Sequence, residues 1–194
     1  QNCWVRITQN GKTTHEYKEL DKPIFKKQIL SRNFSLKSGE EVKEFDFRRF
    51  LWNVSGKDAE RIKAFYTSIG YLLHGYKNPA YYKFVLFMDE AAEIGGKRKG
   101  RTGKGRLEDA IFYMLNTDMN QSIALHQDGS KYDESYSFDI QGMTPETRLV
   151  KLEDMKEAFP LDKFIVYLSG NVALNVKNKD MLFLKYEEAP KWFG

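Results

Sequence analysis

At 194 residues, 41% hydrophobic and 30% charged, the chain has the length and balance of one globular domain, or one domain with an extension. No apolar run approaches the roughly 18 residues of a membrane-spanning helix, and no signal-peptide core is visible, so a membrane role is excluded and a reduced, cytosolic setting is expected. A single cysteine, Cys3, rules out an internal disulfide or a multi-cysteine zinc site, the histidines His15, His74 and His126 lack metal-ligand spacing, and a net charge of +4 is too mild to mark a nucleic-acid binder.

In chain order, WVRI at 4–7 reads as a short strand, with Asn10–Gly11 turning the chain back through Thr13 to Tyr17. Residues 18–44 are charged, with few apolar anchors, and read as an arm or linker. Residues 44–54 predict a short amphipathic helix presenting Phe47, Phe50, Leu51 and Val54. Ser55 is expected to N-cap the next helix, about 57–74, whose apolar positions Ala59, Ile62, Phe65, Tyr66, Ile69, Leu72 and Leu73 follow the 3.6-residue period. His74 is read as a partner of that helix's C-terminal dipole, with Gly75 and Asn78–Pro79 ending the helix.

KFVLFM at 83–88 is a continuous apolar run, the pattern of a strand buried on both faces of a parallel sheet. Asp89–Glu90 would cap it. The segment 95–106, GGKRKGRTGKGR, then holds six basic residues and five glycines, and a helix runs from Gly105 to about Leu115. Further strands are predicted at 121–126 and 148–152, with a turn at Asp128–Gly129 and a loop-rich stretch over 130–147 between them. A helix over 161–169 precedes a hairpin, VALNV at 172–176 and MLFLKY at 181–186, turning at Lys177–Asn178–Lys179–Asp180. Trp4, Trp52 and Trp192 are read as packing residues.

Three constellations carry chemistry. Thr102–Gly103–Lys104–Gly105 follows a strand and opens a helix, the setting of a phosphate-binding loop. There glycines let backbone N–H groups turn inward, the helix N-terminus adds positive potential, and the lysine reaches the terminal phosphates. Against the signature G-x-x-x-x-G-K-[ST], Arg98 replaces the first glycine and Gly105 the metal-binding hydroxyl, and a basic surface loop is the competing reading. Second, the strand LVKL ends in Glu153–Asp154, the shape of a Walker B element, in which one acid holds Mg²⁺ and the other polarises water. Third, the tip Lys177–Asn178–Lys179 is an ordinary polar turn or a basic finger for a phosphate backbone.

The ordered segments IGYLLHGYKNPAYYKFVLFMDE, GRTGKGR, LEDM and ALNVKNKDMLFLKYEEAPKWF together resemble the superfamily 3 helicase core of phage- and plasmid-type primase-helicases, a branch of the AAA+ ATPases. The resemblance covers about residues 45–193. It implies an α/β P-loop NTPase, AAA+-like, with a three-layer core. On that reading 1–44 is an arm, 45–80 a helical segment and 81–194 a core lacking its C-terminal elements, cut from a longer parent. It implies that Gly100, Arg101, Thr102, Gly103, Lys104 and Gly105 hold ATP, that Glu153 and Asp154 serve Mg²⁺ and the attacking water, and that Lys177, Asn178 and Lys179 meet single-stranded DNA. Lys97, Arg98 and Lys99 form a second expected DNA contact. Pro190, Trp192 and Phe193 sit where the strand carrying the polar sensor residue would begin. The implied parent is a homo-hexameric helicase in the cytoplasm of a bacterium or phage-infected cell, its arginine finger supplied by a neighbour. The chain alone is expected to hydrolyse ATP poorly.

Two rival readings remain at this point. One is a nucleic-acid-binding module with a degenerate nucleotide site and no catalysis, favoured by Gly105. The other is a P-loop phosphotransferase for a small molecule, which would need a lid and a substrate pocket that the sequence does not supply.

Overall fold

The computed structural model describes residues 2–24, 26, 29, 33–37, 45–88, 102–115, 124–131, 142–155, 159–174 and 181–194. At the N-terminus, β1 (Trp4–Thr8) and β2 (Gly11–His15) form an antiparallel hairpin, as the Asn-Gly turn predicts. Its cohesion is lateral: Trp4 stacks on His15 at 4.4 Å and the Arg6 guanidinium lies 5.3 Å from the indole centre.

Helix α1 (Asp46–Val54) buries Leu51 and packs Phe47 and Phe50 beside it. Ser55 closes α1 and does not open the next helix: its hydroxyl donates to the Trp52 carbonyl. Gly56 and Lys57 then take positive φ of 68° and 63°, which occupies three residues in reversing the chain. The N-cap of α2 (Ala59–Leu73) is therefore Asp58, whose carboxylate accepts from the Arg61 N–H at 2.7 Å. Trp52 is exposed and packs into no core, unlike Trp192.

The heart of the chain is a four-stranded parallel sheet. Its strands are β3 (Phe84–Val85), β4 (Ala124–Asp128), β5 (Leu149–Glu153) and β8 (Lys191–Phe193), in the order β3–β8–β5–β4. Helix α3 (Lys104–Leu115) follows β3; α4 (Leu161–Ser169) and the hairpin β6 (Val172–Leu174) with β7 (Leu182–Leu184) come between β5 and β8. The chain thus crosses from β3 to the far edge and returns one strand at a time. Parallel crossovers are right-handed, so reversing their direction moves the connecting helix to the opposite face.

The side chains obey this. Leu149 and Phe193 join Leu51, Ile69, Leu72, Leu107 and Ile111 on the α1–α2–α3 face. Val150, Leu152 and Trp192 join Phe164, Val172 and Leu184 on the α4 face. There Phe164 meets Trp192 edge-on at 4.9 Å, with Phe84 at 5.8 Å and Phe159 at 5.4 Å. The Trp192 indole N–H has no acceptor among the described residues. The architecture is mixed α/β with a parallel core, compatible with a Rossmann-like or a P-loop fold.

The 83–88 run lies in the parallel sheet as expected, at its edge: among the described residues Phe84 and Val85 pair with β8 alone and Phe87 adds one bond to the Gly194 carbonyl, while Leu86 and Met88 are exposed and not buried. Its apolar character reflects two covered faces, which a sheet edge shares with a centre. Conversely, the short KWF segment is a central strand, paired with β3 on one side and β5 on the other. Asp89–Glu90, the first residues of the 121–126 strand and most of 130–147 lie outside the described residues.

At the amino edge of the sheet, Lys191 is 2% exposed. Its ammonium donates to the carbonyls of Tyr71 (2.5 Å) and His74 (2.6 Å) and lies 3.9 Å from the Tyr71 ring centre. Lys191, and not His74, is therefore the cation at the C-terminus of α2. Burial, and then the Lys191 charge, hold His74 below its ordinary pKa. Nearby Lys77 donates to the Ala189 carbonyl and lies 4.0 Å from the Tyr186 ring centre.

Burial pushes both Lys77 and Lys191 down to about 8. A lysine depressed on folding keeps its proton longer when unfolded, so stability rises as pH climbs from the folded value toward the ordinary one. Tyr71 and Tyr186, raised mainly by burial, oppose this above pH 10. The midpoint of urea unfolding should therefore rise between pH 8 and 10, and Lys191→Met should flatten that rise. A midpoint that falls across this interval would contradict the assignment.

Candidate functional site at the carboxyl edge

All four strands of the sheet are parallel, so their carboxyl ends share one edge, the edge where open α/β sheets bind ligands. Four features converge there. β4 ends in Asp128, directly opposite Glu153 at the end of β5. Asp154 follows with φ of 49°, a left-handed conformation that Asp tolerates. Helix α3 begins at Lys104. A tight turn after β4 closes over β5: a Cβ on Gly129 would stand 2.7 Å from the Glu153 carbonyl.

The entry to α3 is built from its own sequence. Gly103 has φ of 95°, and a Cβ there would come within 3.0 Å of Val54 and 3.3 Å of Phe50. Glycine is required both for the backbone turn and for contact with α1. The Gly103 carbonyl accepts from the Leu107 N–H at 3.0 Å, which starts the helical ladder. The N–H groups ahead of Leu107 have no partner within the helix, and they sit where the helix dipole is positive. Lys104 is half-buried; Thr102 and Gly105 are exposed.

The centre of the edge is a residue the sequence reading passed over. Lys151, in the middle of β5, has its side chain only 3% exposed. Its ammonium lies 2.6 Å from Glu153 Oε1, 3.1 Å from Asp109 Oδ1 and 3.4 Å from Glu108 Oε2. Glu108 is itself buried, one turn after Lys104 on α3. Burial raises the Glu108 pKa, opposed by the charges of Lys151 and Lys104. For Lys151, burial pulls the pKa down, but the hydrogen bonds to Glu153 and Asp109 and the charge of Glu108 outweigh it, and the net shift is upward. The lysine stays charged and clamps α3 to the acid end of β5.

The sequence did hold a signal. A lysine at an inward position of an apolar strand needs carboxylates to meet it. Glu108–Asp109 is an acidic pair on the helix packed against that strand.

Thus Lys104, Gly103, Glu153 and Asp154 are brought to one edge of one sheet. Gly100, Arg101, Lys97, Arg98 and Lys99 lie outside the described residues, as do Lys177, Asn178 and Lys179 at the hairpin tip. The hairpin strands themselves have one packed face, Val172 and Leu184, and one exposed, Ala173 and Phe183.

Two fits can be tested on these residues. The N-terminal turn of α3, beside Lys104, suits a phosphate chain, because the first N–H groups of a helix have no partner within it. Among the described residues, no group of three or more His, Cys, Asp or Glu side chains is arranged to hold a metal ion. Mg²⁺ in phosphate sites needs no such cage: it keeps waters and takes one or two carboxylates together with phosphate oxygens. Glu153, partly exposed, and Asp154, exposed, suit that use. A groove of about 470 Å³ lined by Phe45, Phe47, Arg48, Leu51 and Tyr66 contains none of the predicted site residues. None of the described helices is long and apolar enough to cross a membrane.

Removing the Lys151 charge would leave Glu108 buried with its main cation gone. Breaking a buried ion pair from one side typically costs about 3–5 kcal/mol. Lys151→Met should therefore lower the urea midpoint sharply, and Lys151→Met/Glu108→Leu should recover part of the loss. Equal midpoints for wild type and the single variant would show that the cluster is too wet to matter.

Comparison with known proteins adds no relative: no protein-family model, no curated protein and no solved structure matches the chain.

Proposed function

We propose that the chain is the nucleotide-binding core of an ATP-dependent DNA helicase of the superfamily 3 type, a P-loop NTPase of AAA+ character that moves on single-stranded DNA during phage or plasmid replication. One observation carries the reading. The helix opened by Gly103–Lys104 and the strand ended by Glu153–Asp154 meet at the carboxyl edge of one parallel sheet, joined by Lys151. Strand-loop-helix followed by an acid-ended strand at the same edge is the arrangement P-loop NTPases use for phosphoryl transfer.

In this reading the backbone N–H groups of 100–105 and the Lys104 ammonium hold the phosphates of ATP. The α3 dipole stabilises their charge. Glu153 and Asp154 would hold Mg²⁺ accompanying the nucleotide, which would supply positive charge to its phosphates, and would orient the attacking water. In a homo-hexameric ring a neighbouring subunit would add an arginine. The hairpin β6–β7 would place Lys177 and Lys179 on the DNA backbone. Lysines suit this: they are point charges on flexible stems, and phosphate contacts carry no base information.

A nucleic-acid-binding module without catalysis is the second reading, favoured by Gly105 standing where a hydroxyl would hold Mg²⁺. Nucleotide binding separates the two.

Lys104→Ala removes a charge-assisted contact worth roughly 1.5–3 kcal/mol, so affinity for a fluorescent ATP analogue should fall about tenfold or more. Unchanged affinity would sink the P-loop assignment. For the DNA contact, each lost phosphate contact lowers the log–log salt slope of single-strand binding by about 0.7. Lys177→Ala/Lys179→Ala should show that flattening in a salt titration of the assembled protein, and an unaltered slope would make the hairpin merely structural.

A further inference from the structure

The two acids that end β5 are not equivalent. Side chains alternate along a strand. Leu149 packs on the α1–α2–α3 face and Lys151 pairs with α3, while Val150 and Leu152 pack on the α4 face. Glu153 continues the first set, the face that carries α3 and Lys104. Asp154 lies past the strand end, exposed, and makes no hydrogen bond or ion pair with a described residue. Glu153, by contrast, is fixed by a 2.6 Å contact to an ammonium that is itself held by two carboxylates of α3.

We propose that Glu153 is the working acid of the pair and that Lys151 is its positioning residue, a buried strut that sets the Glu153 carboxylate at a fixed place relative to the N-terminus of α3. This rests on the nucleotide-binding reading above. The geometry makes the strut directional. Its partners Glu108 and Asp109 both lie on the second turn of α3, about one turn from Lys104. Any shift of α3 as phosphates settle on its N-terminus is therefore transmitted to Glu153 through one ammonium. A flexible surface pair could not do this, because solvent would screen it and rotamers would absorb the motion. A side chain 3% exposed, with three acidic partners on two elements, has neither freedom.

The experiment measures affinity of the full chain for fluorescent N-methylanthraniloyl-ADP in EDTA and in Mg²⁺, and takes the ratio. In wild type, Mg²⁺ should tighten binding by about tenfold, the scale of one charge-assisted contact. Glu153→Gln and Lys151→Met should each bring the ratio of the variant's own Mg²⁺ and EDTA affinities close to one. Lys151→Arg, which keeps the charge, should restore most of the ratio, and Asp154→Asn should reduce it less than Glu153→Gln does. In wild type the ammonium ¹⁵N resonance of Lys151 should also move when Mg²⁺ is added to the nucleotide-bound protein, which tests the strut even if Lys151→Met does not fold.

A larger loss from Asp154→Asn than from Glu153→Gln would overturn the choice of acid. A folded Lys151→Met with the wild-type ratio, or a Lys151 resonance indifferent to Mg²⁺, would overturn the positioning role. Either result leaves the nucleotide-binding reading standing as long as Lys104→Ala weakens binding in both EDTA and Mg²⁺. Absence of any Lys104-dependent binding in wild type would instead remove that reading and the strut with it.

Discussion

A buried ammonium among three carboxylates organises the carboxyl half of this molecule. Water solvates an isolated ammonium far better than a protein interior can, so Lys151 is tolerable in β5 only while Glu153, Asp109 and Glu108 surround it. That demand fixes more than one side chain. It sets the register of α3 against β5, because a rotation of the helix would withdraw both acids. It also sets the direction of the Glu153 carboxylate. Burial alone would permit α3 to slide on Leu149 and Phe193, since apolar contact has little directional preference.

The opposite edge solves the same problem by other means. Lys191 is as deeply buried as Lys151 but meets no carboxylate among the described residues; its partners are the carbonyls of Tyr71 and His74, the His74 ring nitrogen and an aromatic face. Dipoles and a ring quadrupole compensate a charge less completely than an ionised acid does. Hence the two lysines shift in opposite directions, Lys151 upward and Lys191 downward. At one edge the lysine keeps its charge; at the other the charge leaves near pH 8.

Much of the fold was legible because periodicity is a local property. Helices α2 and α4, strand β5 and the outer parts of the β6–β7 hairpin follow directly from apolar spacing. What was not legible is relational. That the run around Phe84 forms a sheet edge, and that Lys191–Phe193 forms its centre, depends on strand order, which no single segment encodes. Ser55 carries the residue type of an N-cap, and only the positive φ values at Gly56 and Lys57 hand that role to Asp58. Of the site, Lys104, Glu153 and Asp154 stood out by motif, whereas Lys151 and Glu108 belong to no motif and become visible only when a helix and a strand are brought face to face.

The placement of β8 has a kinetic consequence. Phe84 pairs with Trp192, and Leu149 with Lys191, so the strand that joins the two halves of the sheet is separated from β3 by more than a hundred residues. Non-local pairings of this kind must pay loop-closure entropy before any contact rewards them, and they slow folding. Until Lys191–Phe193 docks, β3 and β5 each present an unpaired edge flanked by apolar side chains, a surface on which other chains can assemble. The three-residue strand that bridges the two halves of the sheet is thus the step on which productive folding and aggregation compete.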